Sequence, residues 1–131
     1  MVLDASVLID ALVDDSQSGL RSRDAIKGTE LAAPAIIDFE VLSAFRRLAH
    51  APAFTKDRLD QAVDDLKGFP VTRVLHAKLI GRIWDLRENL TTYDAAYVAL
   101  AEQLDVPLLT ADQRIAAAPG PKCEIRLLAE Y

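Results

Sequence analysis

The chain has 131 residues, of which 51% are hydrophobic and 27% are charged, a balance typical of a single globular domain over residues 1–131. One cysteine, Cys123, excludes an intramolecular disulfide and a multi-cysteine metal site, and favours a reducing cytoplasm. No apolar stretch reaches the roughly 18 residues that a membrane span needs, and the net charge of −5 argues against a nucleic-acid partner.

Short apolar runs alternate with amphipathic stretches along the chain. Asp4 and Asp10 interrupt the first apolar run, which excludes a signal peptide. Strands are predicted within residues 1–3, 30–33 (ended by Pro34), 69–75, 106–110 and 123–128. Helices are predicted within residues 5–13, 18–28 (capped by Ser18), 33–52, 55–68 (begun by Thr55 and Asp57), 76–87 and 91–104 (capped by Thr91 or Thr92). This alternation predicts an α/β fold with a central parallel sheet and helices on both faces.

Four acids fall near strand-to-helix junctions of this predicted sheet. Asp4 follows the first strand and Asp112 follows the apolar run "LLT". Asp94 lies in the first turn of the helix that begins near residue 91, and Glu40 lies about one turn into the helix after the second strand. Ligands of parallel sheets bind outside the carboxyl ends of the strands, so these acids are candidate site residues.

Each acid also has a simpler structural explanation. Asp4 can cap the first helix, and Thr91 with Asp94 matches a capping box. Asp112 follows Thr110, which with Gln113 forms another capping-box pattern, and Glu40 can be a solvated surface residue.

The four acids together predict more than each does alone. If they converge on one pocket, their charges repel and raise each other's pKa, so a cation must compensate them. No lysine or histidine occupies a matching junction, and oxygen-only ligands are what Mg²⁺ or Mn²⁺ prefers. One or two such ions would change the net charge from −5 to about −3 or −1, which weakens the objection to nucleic acid.

Carboxylate-held Mg²⁺ suits phosphodiester hydrolysis, because it activates water and stabilises a leaving oxygen without a protein nucleophile. Eight basic residues are candidates for binding phosphates, although a solvated helix face is the favoured explanation for them. They are Arg21, Arg23, Lys27, Arg46, Arg47, Arg82, Arg87 and Arg114. Asp38 carries no predicted role, because it should face about 200° away from Glu40 around the helix.

Three segments, "MVLDASVLIDAL", "PAIIDFEVLSAFRR" and "TTYDAAYVALAEQLDVPLLTAD", resemble the PIN-domain nucleases, and most closely the VapC-type toxins of toxin–antitoxin pairs. The resemblance implies a PIN fold, Mg²⁺- or Mn²⁺-dependent endoribonuclease activity on RNA, a VapB-type antitoxin that occludes the site, and commonly a homodimer. It assigns Asp4, Glu40, Asp94 and Asp112 as catalytic and metal-binding acids, with Ser6 and Thr110 as supporting hydroxyls. It does not identify which RNA is cut.

Other classes stay open at this point. A receiver domain or a haloacid-dehalogenase-type phosphatase also places Asp after its first strand. The phosphatase needs a second Asp two residues later, where this chain has Ser6. The receiver needs a lysine after its last strand, whereas Lys122 precedes the last predicted strand. A PIN fold that only binds a partner and an RNA-processing nuclease without an antitoxin are the remaining alternatives.

Overall fold

A computed structural model of the chain describes residues 1–130 and is built around a parallel sheet. Its strands are β1 (Val2–Leu3), β2 (Leu31–Pro34), β3 (Val71–Val74), β4 (Leu108–Thr110) and β5 (Ile125–Leu127). They lie in the order β3-β2-β1-β4-β5, and each neighbouring pair is parallel. In register, Val2 of β1 pairs with Ala32 of β2 and with Leu108 of β4. The carboxyl ends of β1, β2 and β4 therefore meet at one edge.

Helices cover both faces of this sheet, so the predicted α/β architecture is confirmed. They are α1 (Ala5–Val13), α2 (Gln17–Ile26), α3 (Ile37–Leu48), α4 (Lys56–Lys67), α5 (Ile80–Asp85), α6 (Thr92–Leu104) and α7 (Gln113–Ala117). Helix α1 packs against α2, α3 and α4, whereas α6 packs against α5 and against β1, β2 and β4. Within residues 1–130, no helix has the length and apolarity to span a membrane.

The centre of the core lies where β1 and β4 meet α6. Val2, Leu3, Leu108 and Leu109 are completely buried, as expected for short parallel strands with both faces covered. In α6, residues 95–101 are all buried, because its small alanines let the helix pack on several sides. This packing makes α6 a fixed support for the polar residues of its first turns.

Two helix caps were predicted correctly and one was not. Thr55 accepts a hydrogen bond from the Arg58 N–H at 3.1 Å, and Thr91 accepts one from the Asp94 N–H at 3.2 Å. The Ser18 prediction is wrong, because Ser16 is the N-cap of α2 and its side chain accepts from the Ser18 N–H. The Ser18 amide is thus already part of the first helical turn.

Other predictions also differ from the structure, mostly at the ends of elements: for example, α3 begins at Ile37 and ends at Leu48, inside the predicted range 33–52. Pro34 is the last residue of β2 rather than a residue beyond it, and it lies past the point where β1 pairs with β2. Residues 76–87 form a 3₁₀ turn at Ala77–Leu79 followed by α5, not one continuous helix. The sequence did not predict α7, because five residues are too few to establish a helical period.

Candidate active site

The four predicted acids line one pocket of about 510 Å³ at the carboxyl edge of the sheet. Asp4 connects β1 to α1, Glu40 is the fourth residue of α3, Asp94 lies in the first turn of α6, and Asp112 precedes α7. The predicted convergence of the four carboxylates is therefore confirmed as a matter of geometry.

Asp4 is buried and is held by two hydroxyl groups, one from the first turn of α1 and one from the end of β4. Its Oδ2 accepts hydrogen bonds from Ser6 Oγ at 2.6 Å and from Thr110 Oγ1 at 2.8 Å. These hydroxyls accept in turn from the backbone N–H groups of Ala111 and Asp112 at 3.1 and 3.0 Å. Asp4 makes no side-chain cap hydrogen bond to α1, so the simple capping explanation is wrong for this residue. Burial is the main cause that raises the pKa of Asp4, with a smaller contribution from Asp94.

Glu40 is not a solvated surface residue. Its Oε1 accepts a hydrogen bond at 2.6 Å from the hydroxyl of Tyr97. Tyr97 belongs to α6, and its side chain is completely buried. Partial burial raises the pKa of Glu40, and the charges of Asp4 and Asp94 add to the effect. Burial and the nearby Glu40 carboxylate raise the pKa of Tyr97 far above its usual range, so this phenol remains a donor.

Sequence reasoning missed Tyr97, although one pattern pointed to it. It follows Asp94 by three residues in a run that is otherwise small and apolar. A buried tyrosine hydroxyl usually finds a hydrogen-bond partner, so a tyrosine in such a run predicts a polar group close by.

Asp94 is tied to its helix by a half-formed capping box. Its backbone N–H donates to Thr91 Oγ1, which agrees with one of the two bonds of that pattern. Burial is the main cause that raises the pKa of the Asp94 carboxyl, and the Asp112 charge adds to it. Three of the four acids therefore have raised pKa values, in the direction predicted for a shared acidic pocket, although burial outweighs mutual repulsion as the cause.

Asp112 differs from the other three acids, because a cation faces it. Its Oδ1 accepts from the Arg114 N–H at 2.9 Å and caps α7, so the predicted Thr110–Gln113 capping box is wrong. The Arg114 guanidinium also donates to Asp112 Oδ2 at 2.8 Å. These Arg114 bonds lower the pKa of Asp112. Arg114 thus supplies a compensating positive charge beside Asp112, at a junction that has neither lysine nor histidine.

The carboxylate oxygens that line the pocket are the type of ligand that Mg²⁺ and Mn²⁺ prefer. Carboxylate oxygens are the preferred ligands of hard divalent cations, and raised pKa values mark acids whose charges are poorly compensated. Among residues 1–130, no group of three or more His, Cys, Asp or Glu side chains is closely enough arranged to hold a metal ion by itself. Mg²⁺ is usually bound by one or two carboxylates together with water and substrate oxygens.

Of the eight candidate phosphate-binding residues, the structure places Arg47 and Arg114 at the pocket. Arg82 forms an ion pair with Glu102 at 2.7 Å, and Arg23 donates to backbone carbonyls near the end of α1. Arg87 stacks on Trp84 with its guanidinium 4.5 Å from the ring centre. These three arginines have structural partners, so their predicted contact with phosphate receives no support from the geometry.

Comparisons with known proteins agree with this geometry. The PIN-domain family model matches residues 1–121. Ribonuclease VapC1 of Mycobacterium tuberculosis is 43% identical over 128 residues, which cover 97% of this chain and 96% of that protein. Ribonuclease VapC9 of the same organism is 38% identical over 133 residues, which cover 98% of both chains.

Two solved structures share the fold at low sequence identity. VapBC2 from Rickettsia felis, bound to a DNA fragment from its promoter, gives a TM-score of 0.69 at 13% identity and covers 96% of both chains. FitAcB from Neisseria gonorrhoeae gives a TM-score of 0.71 at 13% identity and covers 99% of both chains. With the family match over most of its length and with these relatives, the chain belongs to the PIN-domain family and, within it, to the VapC-type ribonucleases.

Proposed function

We propose that this chain is a metal-dependent endoribonuclease, the toxin of a toxin–antitoxin pair, which hydrolyses RNA phosphodiester bonds at the carboxylate pocket. The observation that carries the proposal is the convergence of Asp4, Glu40, Asp94 and Asp112 at the ligand-binding edge of the sheet. Its relatives at 38–43% identity are named as ribonucleases, which supports RNA hydrolysis as the reaction of this acidic pocket.

Asp4, Glu40, Asp94 and Asp112 would hold Mg²⁺ or Mn²⁺, which when bound activates water and stabilises the leaving oxygen. The chain's part is to orient these acids. Ser6 and Thr110 fix one oxygen of Asp4, which is the supporting role expected of these hydroxyls.

Arg47 and Arg114 supply positive charge for the RNA backbone. Arg47 lines the pocket, and the Arg114 side chain is 87% exposed, so a phosphate can reach it from solvent. A phosphate oxygen that pairs with Arg114 would also release the Asp112 carboxylate from its present partner. The proposed RNA substrate and the free Cys123 both fit a location in the cytoplasm.

The proposed partner is a VapB-type antitoxin that covers the pocket. Among the proteins that share this fold, the one from Rickettsia felis was solved as VapBC2 and the one from Neisseria gonorrhoeae as FitAcB, which supports a partner of this type. Co-purification with the product of an adjacent small gene, followed by loss of cleavage on recombination of the two proteins, tests this partner. An RNA-processing nuclease without an antitoxin would have no such inhibitor.

A homodimer is the proposed assembly. Ile80 and Trp84 lie four residues apart in α5 and therefore on one side of it, and they are 58% and 65% exposed. Leu75, just before this helix, is 76% exposed. Such exposed apolar side chains commonly mark an interface. Light scattering should give twice the chain mass, and Trp84→Glu should shift the protein to the monomer.

The deciding experiment is cleavage of total cellular RNA by purified, antitoxin-free protein with Mg²⁺ or Mn²⁺, beside a chelator control and the Asp94→Asn variant. Cutting that needs the metal and disappears in the variant supports the nuclease. If no RNA is cut, calorimetric titration with Mn²⁺ separates two cases. Binding without cutting indicates one scarce target site, and no binding indicates a PIN fold that only binds a partner.

A further inference from the structure

Tyr97 links the two helices that carry acids into the pocket. It lies three residues after Asp94 in α6, and its hydroxyl reaches Glu40 Oε1 of α3 at 2.6 Å. The tyrosine side chain is completely buried, so packing fixes the position of its hydroxyl. The Glu40 carboxylate is therefore anchored at one oxygen by a rigid group.

This anchoring leaves the other oxygen of Glu40 for the pocket. Asp4 has a similar arrangement, since Ser6 and Thr110 both donate to its Oδ2. In both cases the donor is a neutral hydroxyl, which orients the carboxylate without cancelling its charge. Asp112 is different, because both of its oxygens accept from Arg114.

We infer that Tyr97 is a positioning residue, whose hydroxyl fixes Glu40 Oε1 and leaves Oε2 as the single oxygen that Glu40 offers to a divalent cation. The inference rests on the proposed function, in which Glu40 is one of the metal-binding acids. It goes beyond that function by assigning a role to a residue outside the acidic set and by limiting Glu40 to one ligand oxygen.

The opposing explanation is that Glu40 merely satisfies a buried phenol. The two explanations differ in what the Tyr97→Phe variant should lose. This change keeps the ring and its packing and removes only the hydroxyl. If the bond serves only the tyrosine, metal binding should not change. If the bond positions Glu40, metal binding should weaken in a protein that still melts cooperatively.

The test is calorimetric titration of the full chain with Mn²⁺, with melting in chelator as the check on folding. We expect Tyr97→Phe to raise the Kd for Mn²⁺ by about tenfold or more, the usual cost of removing a group that orients a metal ligand. Ser22→Ala is the control, since it removes a completely buried hydroxyl from α2, outside the lining of the acidic pocket. It should bind Mn²⁺ like the wild type.

Glu40→Gln shows whether Tyr97 acts through Glu40. On its own it should weaken Mn²⁺ binding, and adding Tyr97→Phe to it should cause no further loss. An equal loss in both backgrounds would overturn the inference, and so would wild-type affinity of Tyr97→Phe while Glu40→Gln binds poorly. That last pattern would leave the proposed function intact. Wild-type affinity of Glu40→Gln would instead remove Glu40 from the metal site, and the inference with it.

A second variant covers the case in which Tyr97→Phe fails to melt cooperatively. Glu40→Asp keeps Tyr97 and the negative charge, but its shorter side chain cannot keep the carboxylate at the same hydrogen-bonded position. It should show the same weakening of Mn²⁺ binding as Tyr97→Phe. Wild-type affinity of Glu40→Asp would contradict the inference, because a fixed Oε2 would then be unnecessary.

Discussion

Two carboxylates in the first turn of α3 have opposite surroundings. Asp38 accepts hydrogen bonds from Arg73 Nε at 2.8 Å and from Arg73 Nη2 at 2.9 Å, which makes a bidentate ion pair. Glu40, two residues later, is paired with the neutral hydroxyl of Tyr97 and is repelled by Asp4 and Asp94. The charge of Asp38 is compensated within the protein and that of Glu40 is not. Uncompensated charge in a shared pocket therefore distinguishes three of the four candidate acids from Asp38, whereas Asp112 is compensated by Arg114.

The largest expected effect follows from neutralising one of the uncompensated acids. Asp94→Asn should lower RNA cleavage about a thousandfold or more, because a metal ion stabilises the transition state by several kcal/mol and an amide is a poor ligand for it. The Asp94 backbone N–H that bonds to Thr91 is unchanged, so the helix start should survive. Initial rates of RNA cleavage with Mn²⁺ and a melting curve check both points. A large loss of stability would favour a structural role for Asp94.

Asp38→Asn should lower the stability of the protein and leave RNA cleavage unchanged, the opposite of Asp94→Asn. It weakens the ion pair with Arg73, whose guanidinium also donates to the Leu66 carbonyl at 3.0 Å and whose side chain is partly buried. We expect a loss of about 1–2 kcal/mol in the free energy of unfolding, since the bonds are charge-assisted but partly exposed to solvent. Cleavage at a temperature where the variant is folded should equal that of the wild type. Urea denaturation measures the first quantity, and loss of cleavage would contradict the comparison.

The contrast between these two acids also shows what the sequence could and could not predict. That Asp4, Glu40, Asp94 and Asp112 share one pocket could be predicted, because the carboxyl-end rule needs only the order of strands and helices. Thr55 and Thr91 were found because capping is local. The Tyr97–Glu40 bond joins residues 57 apart and the Arg73–Asp38 pair joins residues 35 apart, so each depends on how the helices dock. Local patterns carry no information about that docking.

A smaller effect concerns stability without metal. Burial raises the folded-state pKa of Asp4 above its ordinary value, so the folded protein binds this proton more tightly than the unfolded chain. The contribution of Asp4 to the free energy of unfolding is therefore most favourable below the pKa that Asp4 has in the unfolded chain. It is lost as the pH rises through the higher pKa that Asp4 has in the folded protein. In chelator at about pH 8, Asp4→Asn should stabilise the protein by on the order of 1 kcal/mol, because the amide still accepts from Ser6 and Thr110.

The stability gained by Asp4→Asn over the wild type should be smaller at about pH 5, where the Asp4 carboxyl of the wild type is closer to protonated. Melting curves of both proteins at the two pH values measure the difference, and the comparison with the variant removes the effects of the other acids. A clear destabilisation by Asp4→Asn at the higher pH would mean that the Asp4 charge is compensated like that of Asp38. The pocket would then not be the uncompensated cluster that the nuclease proposal requires.

The smallest effect concerns Arg114, whose guanidinium pairs with Asp112 and so compensates part of the negative charge of the pocket. Arg114→Ala should weaken RNA binding modestly and reduce the slope of log K against log salt by about 0.7, the value for one phosphate contact on a single strand. Lys56→Ala is the matched control, because Lys56 is 86% exposed and Arg114 is 87% exposed, and each pairs with an aspartate of its own helix or cap. Lys56 lies on α4, outside the lining of the pocket. Equal slopes for the two variants would mean that total charge governs RNA binding, whereas a change confined to Arg114→Ala places a phosphate beside Asp112.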